Sequence, residues 1–306
     1  MNGKRREADG MTGAWVAGVD VGGSGVRVAV APGGWPAGAR TVEVAGAGGQ
    51  DAEVLLGRLL PALESLVADL PEGAGIDAVA VGAAGMALLG RDLAARLPGP
   101  LARATGARCL VLAGDAIAAY AGALGSAAGV TVAGGTGLVA IGLGPGTGWR
   151  RADGWGQLLG DCGSGAWLGR AGLDAALRAF DGRPGGSRAL LAAAERRYGP
   201  VTGLPAALQP RPDRAALLAA FAPDVGAAAE EGCPVAAGLF RRAGEEIAGA
   251  AAAAADGAGL PAPLVALTGG LFRLAPLHRA TVDALAARLP GARLREPERA
   301  EQRRPV

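Results

Sequence analysis

The chain has 306 residues and a net charge of +2, with half its residues hydrophobic and 4% aromatic. That length accommodates two domains of ordinary size, each with its own core. Scattered arginines and few aromatics form neither a basic stripe nor a stacking platform, so no nucleic-acid partner is expected.

In chain order, the first signal is a glycine-rich turn between two apolar strands. Val16, Val19 and Val21 lead into Gly22-Gly23-Ser24-Gly25, and Val26, Val28 and Val30 resume with period-two alternation around Arg27. Residues 51–70 then place Val54, Leu55, Leu59, Leu63, Leu66 and Leu70 at helical spacing, which predicts a core-facing helix. Ile76–Val81 is a short apolar strand ending in Gly82-Ala83-Ala84-Gly85, and Leu110–Ala113 is another, ending in Gly114-Asp115. The opening device then recurs: Val130–Ala133, the turn Gly134-Gly135-Thr136-Gly137, and the strand Leu138–Ile141.

Gly154–Gly165 is too glycine-rich for a helix or plain strand and predicts a long functional loop, with a helix from about Ala166 carrying Leu173, Leu177 and Phe180 inward. Residues 182–213, rich in Gly, Pro and Arg apart from a helical patch at Ala189–Arg197, read as a surface insertion. An alanine-rich helix covers about Val235–Ala255, Leu264–Leu267 is a strand ending in Thr268-Gly269-Gly270, a further helix follows, and the charged tail from Arg295 reads as loose. Strands alternating with helices indicate an α/β fold.

A Rossmann fingerprint or a P-loop opens into a helix, so a return strand after each turn argues against both. Two such turns are either ordinary hairpins or a pair of cradles in which backbone N–H groups, with Ser24 and Thr136, converge on phosphate. Lys4 is the only lysine and His278 the only histidine, which argues against Walker A, protein-kinase, Schiff-base and histidine-triad chemistry. His278 reads as a surface or helix-side residue. Cys109, Cys162 and Cys233 fit neither a disulfide framework nor a zinc or iron–sulfur ligand set, and a reducing cytoplasm is expected. Neither a signal peptide nor a membrane segment is expected.

Chemistry then rests on carboxylates, hydroxyls, backbone amides and arginine. Asp20, before the first turn, is either a turn cap or a Mg²⁺ ligand. Asp115 is either a helix N-cap or a base for a substrate hydroxyl. Asp161 either shapes a turn or serves the site, and Trp155 either stacks on a sugar or anchors its loop in the core.

The ordered set Val19–Ser24, Val81–Gly85, Gly114–Ala116, Gly134–Gly137, Gly154-Trp155-Gly156 through Gly160–Ser164, and Thr268–Gly270 resembles the N-acetylglucosamine kinase family, part of the BadF/BadG/BcrA/BcrD group of actin-like ATPases. The resemblance implies two RNase H-like domains, here 13–126 and 127–306, with an interdomain nucleotide cleft. It implies ATP and Mg²⁺ as cofactors, a small sugar as partner and a homodimer as one form of the protein. Asp20 with Gly22, Gly23 and Ser24 matches the first phosphate and Mg²⁺ motif, Gly135, Thr136 and Gly137 the second phosphate loop, and Gly269 and Gly270 the adenosine motif. Asp115 matches the catalytic base, and Gly85, Gly154, Trp155, Gly156 and Asp161 the sugar side. The implied activity is a carbohydrate kinase that phosphorylates an amino sugar, such as N-acetylglucosamine or glucosamine, on its 6-hydroxyl. Alternatives are an ATPase that activates a radical dehydratase or reductase, and a non-catalytic sugar or nucleotide sensor. The chain departs from the family pattern in offering only Gln50 where an asparagine meets the amino sugar, Cys162 where an acidic residue follows the loop aspartate, and a C-terminus unlike the family's alanine- and glycine-rich helix.

Overall fold

The computed structural model describes residues 14–22, 25–33, 38–45, 51–83 and 86–295. Gly23, Ser24, Gln50, Gly85 and the tail after Arg295 lie outside them, and so do the expectations placed on those residues. The chain divides into two compact units between Ala118 and Ala119.

The N-terminal unit starts with three antiparallel strands, β1 (Ala14–Gly22), β2 (Gly25–Pro32) and β3 (Arg40–Ala45). Then come α1 (Ala52–Ala68), β4 (Gly75–Ala83), α2 (Met86–Arg96), α3 (Pro98–Thr105), β5 (Cys109–Gly114) and α4 (Asp115–Leu124), the last carrying the division between units. β4 lies parallel to β1, and β5 parallel to β4, in the order β3-β2-β1-β4-β5. Alternation sorts β1 into a buried face of Ala17, Val19 and Val21 and an exposed face that includes Val16 and Asp20. α1 lays Leu55, Leu59, Leu63 and Leu66 in the same core as Val19, Val28 and Val79. Asp51 caps α1 by accepting the Glu53 N–H at 2.8 Å. Val54, expected on the apolar stripe, is exposed. Ala52 and Ala62 are buried instead, because the buried stripe is centred on the 55-59-63-66 row.

The C-terminal unit repeats the plan. β6 (Gly129–Gly134), β7 (Leu138–Gly144) and β8 (Gly148–Asp153) are antiparallel. Helices α5 (Gly165–Asp181), α6 (Arg188–Tyr198), α7 (Leu204–Leu208), α8 (Arg214–Ala219), α9 (Ala222–Glu230) and α10 (Pro234–Gly257) follow. β9 (Leu264–Thr268), α11 (Ala275–Arg288) and β10 (Arg293–Arg295) complete it. β9 is parallel to β6, and β10 to β9, giving β10-β9-β6-β7-β8. Counted from the first strand of each unit, both sheets have the order 3-2-1-4-5, the RNase H-like arrangement. The alanines of α10 let it approach the sheet closely: a Cβ on Gly142 of β7 would lie 3.0 Å from the Ala254 carbonyl carbon.

Two expectations change here. Phe180 is 54% exposed, since it lies off the α5 face that buries Leu168, Leu173 and Ala176. Residues 182–213 are more than a surface insertion, because Leu190, Ala193, Ala194, Val201 and Leu204 enter the unit's core beside Phe221 and Val225. His278 is exposed on α11. Among the described residues no helix is long and apolar enough to cross a membrane.

Candidate functional site

In the N-terminal unit the parallel strands β1, β4 and β5 bring distant acidic residues to one edge. Asp20 on β1 is level with Gly82 on β4, and Gly82 with Ala113 on β5, two residues before Asp115. Gly82 is required here: a Cβ on it would lie 2.5 Å from the Ala118 Cβ and 3.8 Å from the Asp115 Cα. The bare backbone of β4 therefore lets α4 settle onto the sheet, with Asp115 near Asp20. This is the carboxyl edge of the parallel strands, where open α/β sheets bind ligands.

Asp20 is exposed and lies 3.6 Å from Arg27 Nη1, while Arg27 Nε donates to Glu43 Oε1 at 2.6 Å. Register explains the trio, since Asp20, Arg27 and Glu43 face one another across β1, β2 and β3. Arg27 was legible only as a strand residue; its sharing between two carboxylates required the register. Asp115 opens α4, and its Oδ1 accepts the Ala116 N–H at 2.8 Å. Its carboxyl reaches solvent, yet desolvation by the surrounding protein raises its pKa above the ordinary 3.8. The Ala116 N–H opposes that rise, and the nearby Asp20 carboxylate adds to it.

In the C-terminal unit, the second glycine turn is clamped from below. Gly165 N–H donates to the Gly135 carbonyl at 2.9 Å and Ala166 N–H to the Thr136 carbonyl at 3.1 Å, so the first turn of α5 holds the turn's carbonyls. Gly135 and Thr136 are exposed, and a Cβ on Gly135 would meet nothing within 4 Å. Gly137 and Gly134 are glycine for closeness: a Cβ on Gly137 would lie 2.6 Å from Asp161 Oδ2, and one on Gly134 2.9 Å from the Phe272 ring. Gly269, at φ 98°, packs against the Gly134 backbone so tightly that no side chain fits. The expected phosphate turn and the Gly269-Gly270 segment are thus neighbours in this unit.

The loop from Gly154 to Ser164 is organised by Asp153, which the sequence reading passed over. Its Oδ1 accepts the N–H groups of Gly154 and Asp161, each at 2.7 Å, and its Oδ2 accepts that of Cys162 at 2.8 Å. Asp153 and Asp161 are also the two non-glycine residues at positive φ, 60° and 55°, among the described residues. Asp161 Oδ1 accepts the Gly156 N–H at 3.0 Å, so Asp161 both shapes the loop and lies beneath Gly137 of the second glycine turn. Trp155 does not anchor the loop in the core: it is 65% exposed, with the Arg151 guanidinium 4.3 Å over its ring. Burial, and then the carboxylates of Asp153, Glu246 and Asp161, push the Cys162 thiol up, while Arg170 opposes them. This thiol occupies the position noted above as a departure from the family pattern.

The residues present fit ATP and Mg²⁺. An exposed turn with open space above Gly135 suits phosphate oxygens. No cluster of three His, Cys, Asp or Glu that could hold a metal occurs among the described residues. A single carboxylate such as Asp20 matches Mg²⁺, which keeps its waters and binds mainly through substrate phosphates. Cys109 begins β5, Cys162 lies in the long loop and Cys233 precedes α10, on three separate segments of the chain.

Solved structures show the same architecture. A candidate N-acetylglucosamine kinase from Chromobacterium violaceum is 30% identical, with a TM-score of 0.69 over 90% of this chain and 93% of that one. A candidate N-acetylglucosamine kinase from Porphyromonas gingivalis matches with 18% identity and a TM-score of 0.69, covering 92% of this chain and 95% of its own. A ROK family glucokinase from Streptomyces griseus, in complex with glucose and AMPPNP, matches with 22% identity and a TM-score of 0.55 over 92% of each chain. The last two carry the fold alone. No curated protein matches the chain. The model of the BadF/BadG/BcrA/BcrD ATPase family matches residues 17–301, nearly the whole length, and the chain belongs to that family.

Proposed function

We propose that this protein is an ATP-dependent carbohydrate kinase that transfers the γ-phosphoryl group to the 6-hydroxyl of an amino sugar of the N-acetylglucosamine type. The observation that carries the reading is the placement of Asp115, a carboxyl with a raised pKa, beside Asp20 at the carboxyl edge of β1, β4 and β5. The 30% identity to the Chromobacterium violaceum protein supports the sugar class.

Asp115 accepts the hydroxyl proton as the sugar oxygen attacks, and its raised pKa makes it a better base than a free aspartate. Asp20 would hold Mg²⁺, which would supply charge neutralisation on the phosphates. In the C-terminal unit, the exposed Gly135-Thr136-Gly137 turn binds phosphate oxygens, and Gly269-Gly270, packed against it, receives the adenosine. Gly154, Trp155, Gly156 and Asp161 address the sugar, with the exposed indole of Trp155 as the apolar face that sugar C–H groups favour. Gly23, Ser24 and Gly85 join these groups on the strength of the family motif.

The test is ADP release with ATP and Mg²⁺ over glucosamine, N-acetylglucosamine, N-acetylmannosamine, N-acetylmuramic acid and glucose. The expected result is turnover that depends on one amino sugar and falls by about 10²–10⁴-fold in Asp115→Asn. Sugar binding with no turnover by the wild-type protein would instead identify a sensor.

A further inference from the structure

Away from these residues, a groove of about 810 Å³ runs along α10 and α11, floored by Phe240, Ala248 and Ala280 and rimmed by charged side chains. Its charges are sorted along its length. α10 leads into β9, and α11 leads from β9 to the parallel β10, so both helices run against β9 and in the same direction as each other. They meet at Gly244, where a Cβ would lie 2.6 Å from the Ala280 carbonyl carbon. Arg241 and Arg279 precede that contact and Glu245 and Asp283 follow it, so the end of the groove by the start of α11 is cationic and the next turn anionic. All four side chains are exposed, and none of them forms an ion pair among the described residues.

The chain beyond Arg295 departs from that cationic end. α11 starts on the carboxyl side of β9, and the parallel β10 returns to the same side, where Arg295 is level with Ala266. In residues 296–306 the acids Glu296, Glu298 and Glu301 come before Arg303 and Arg304, which is the order a groove entered from its cationic end requires. The spacing agrees as well. Arg279 and Asp283, four residues apart on a helix, are separated by a rise of about 6 Å. Glu301 and Arg303, two residues apart, are separated by about 6.8 Å on an extended backbone, which puts both side chains on one face. The six residues from Arg295 to Glu301 reach up to about 20 Å, enough to climb past a helix about 10–12 Å across.

We propose that this groove is the docking site of the chain's own residues 296–306. Glu301 pairs with Arg241 and Arg279, and Arg303 with Glu245 and Asp283. Arg299 falls one step earlier, level with Ala237 and Pro276, where the groove carries no charge. Joined to β10 by so few residues, the segment meets the groove at an effective concentration of about millimolar, ahead of a free partner. Docking also prolongs β10, a three-residue edge strand, into a segment anchored on two helices. The proposal holds whatever sugar the enzyme takes.

Backbone amide order parameters of the full chain, from NMR relaxation, test it. Residues 298–304 are expected at about 0.85, the value of rigid backbone, and are expected to fall below about 0.6 in Arg241→Glu/Arg279→Glu. Adding Glu301→Arg to that protein is expected to restore the higher values, because the reversed side chains again meet their opposites. Circular dichroism confirms that each protein is folded, and the single change Arg279→Glu replaces the double one if it is not. Values below about 0.6 in the wild type, values that ignore the groove reversal, or a folded protein that stays loose after Glu301→Arg is added would each overturn the proposal. Groove amide shifts that move on dilution, while residues 298–304 stay loose, would assign the groove to a second copy and count the same way.

Discussion

Asp115 combines two effects with opposite consequences. Desolvation and the Asp20 carboxylate raise its pKa above 3.8, so the folded state holds its proton to higher pH than the unfolded chain. Between the ordinary and the raised value the native state binds more protons, and stability falls as pH rises through that window. Asparagine keeps the oxygen that accepts the Ala116 N–H but carries no charge. Asp115→Asn is therefore expected to melt higher than the wild type at neutral pH, with the difference vanishing as pH falls below the ordinary carboxylate range, read by calorimetry across a pH series. With Asp115 as the base proposed above, the same rise is expected to place the acid limb of kcat/KM above that of an ordinary aspartate, read from a pH–rate series. Carboxyl NMR should show the Asp115 pKa dropping in Asp20→Asn; an unchanged value would remove Asp20 from the account. Asp115 was visible in the sequence as a strand-end carboxylate, but its tuning was not, because Asp20 reaches it only through β4 and the bare Gly82 backbone.

At the level of elements, the loop after β8 depends on one carboxylate. Asp153 satisfies three backbone N–H groups, and its two oxygens draw together residues 154, 161 and 162. Removing it leaves those donors partly buried and unpaired, at about 1–3 kcal/mol each where water cannot replace it. Asp153→Ala is expected to raise KM for the sugar and to quicken hydrogen exchange across residues 154–164, while the far-UV spectrum stays that of the wild type. A loop that exchanges as slowly as before would show that Asp153 is ornamental. The sequence marks this loop by its glycines, and positive φ at Gly154, Gly156 and Gly163 accounts for three of the five from Gly154 to Gly165. Nothing local marks Asp153 as the hub, since an aspartate before a glycine is also an ordinary turn residue. The exposed Phe180 and Val54 have a related cause: helical periodicity locates a stripe, but only the packed neighbours define its edges.

For the whole molecule, each sheet has a core of its own, one built on α1 with Val28 and Val79, the other on α5 and α10 with Val130, Val132 and Phe240. Two cores of this kind predict unfolding that is not two-state. Calorimetry should give a van't Hoff enthalpy below the calorimetric one, and a non-hydrolysable ATP analogue with Mg²⁺ at about a hundred times its Kd should stabilise the protein by about 2.7 kcal/mol. A single transition with matching enthalpies would mean that the two cores melt as one unit.

The sequence by itself determined the α/β class, both strand-turn-strand devices, most strand and helix positions and the residue types left to do chemistry. Those features depend on spacings of two to four residues and on the conformational freedom of glycine, which are local properties. Tertiary structure alone decided that Asp115 lies by Asp20, that Gly269 packs on Gly134 and that Asp161 sits beneath Gly137. Each of those pairings joins residues remote in the chain, and only strand register and helix packing could bring them together.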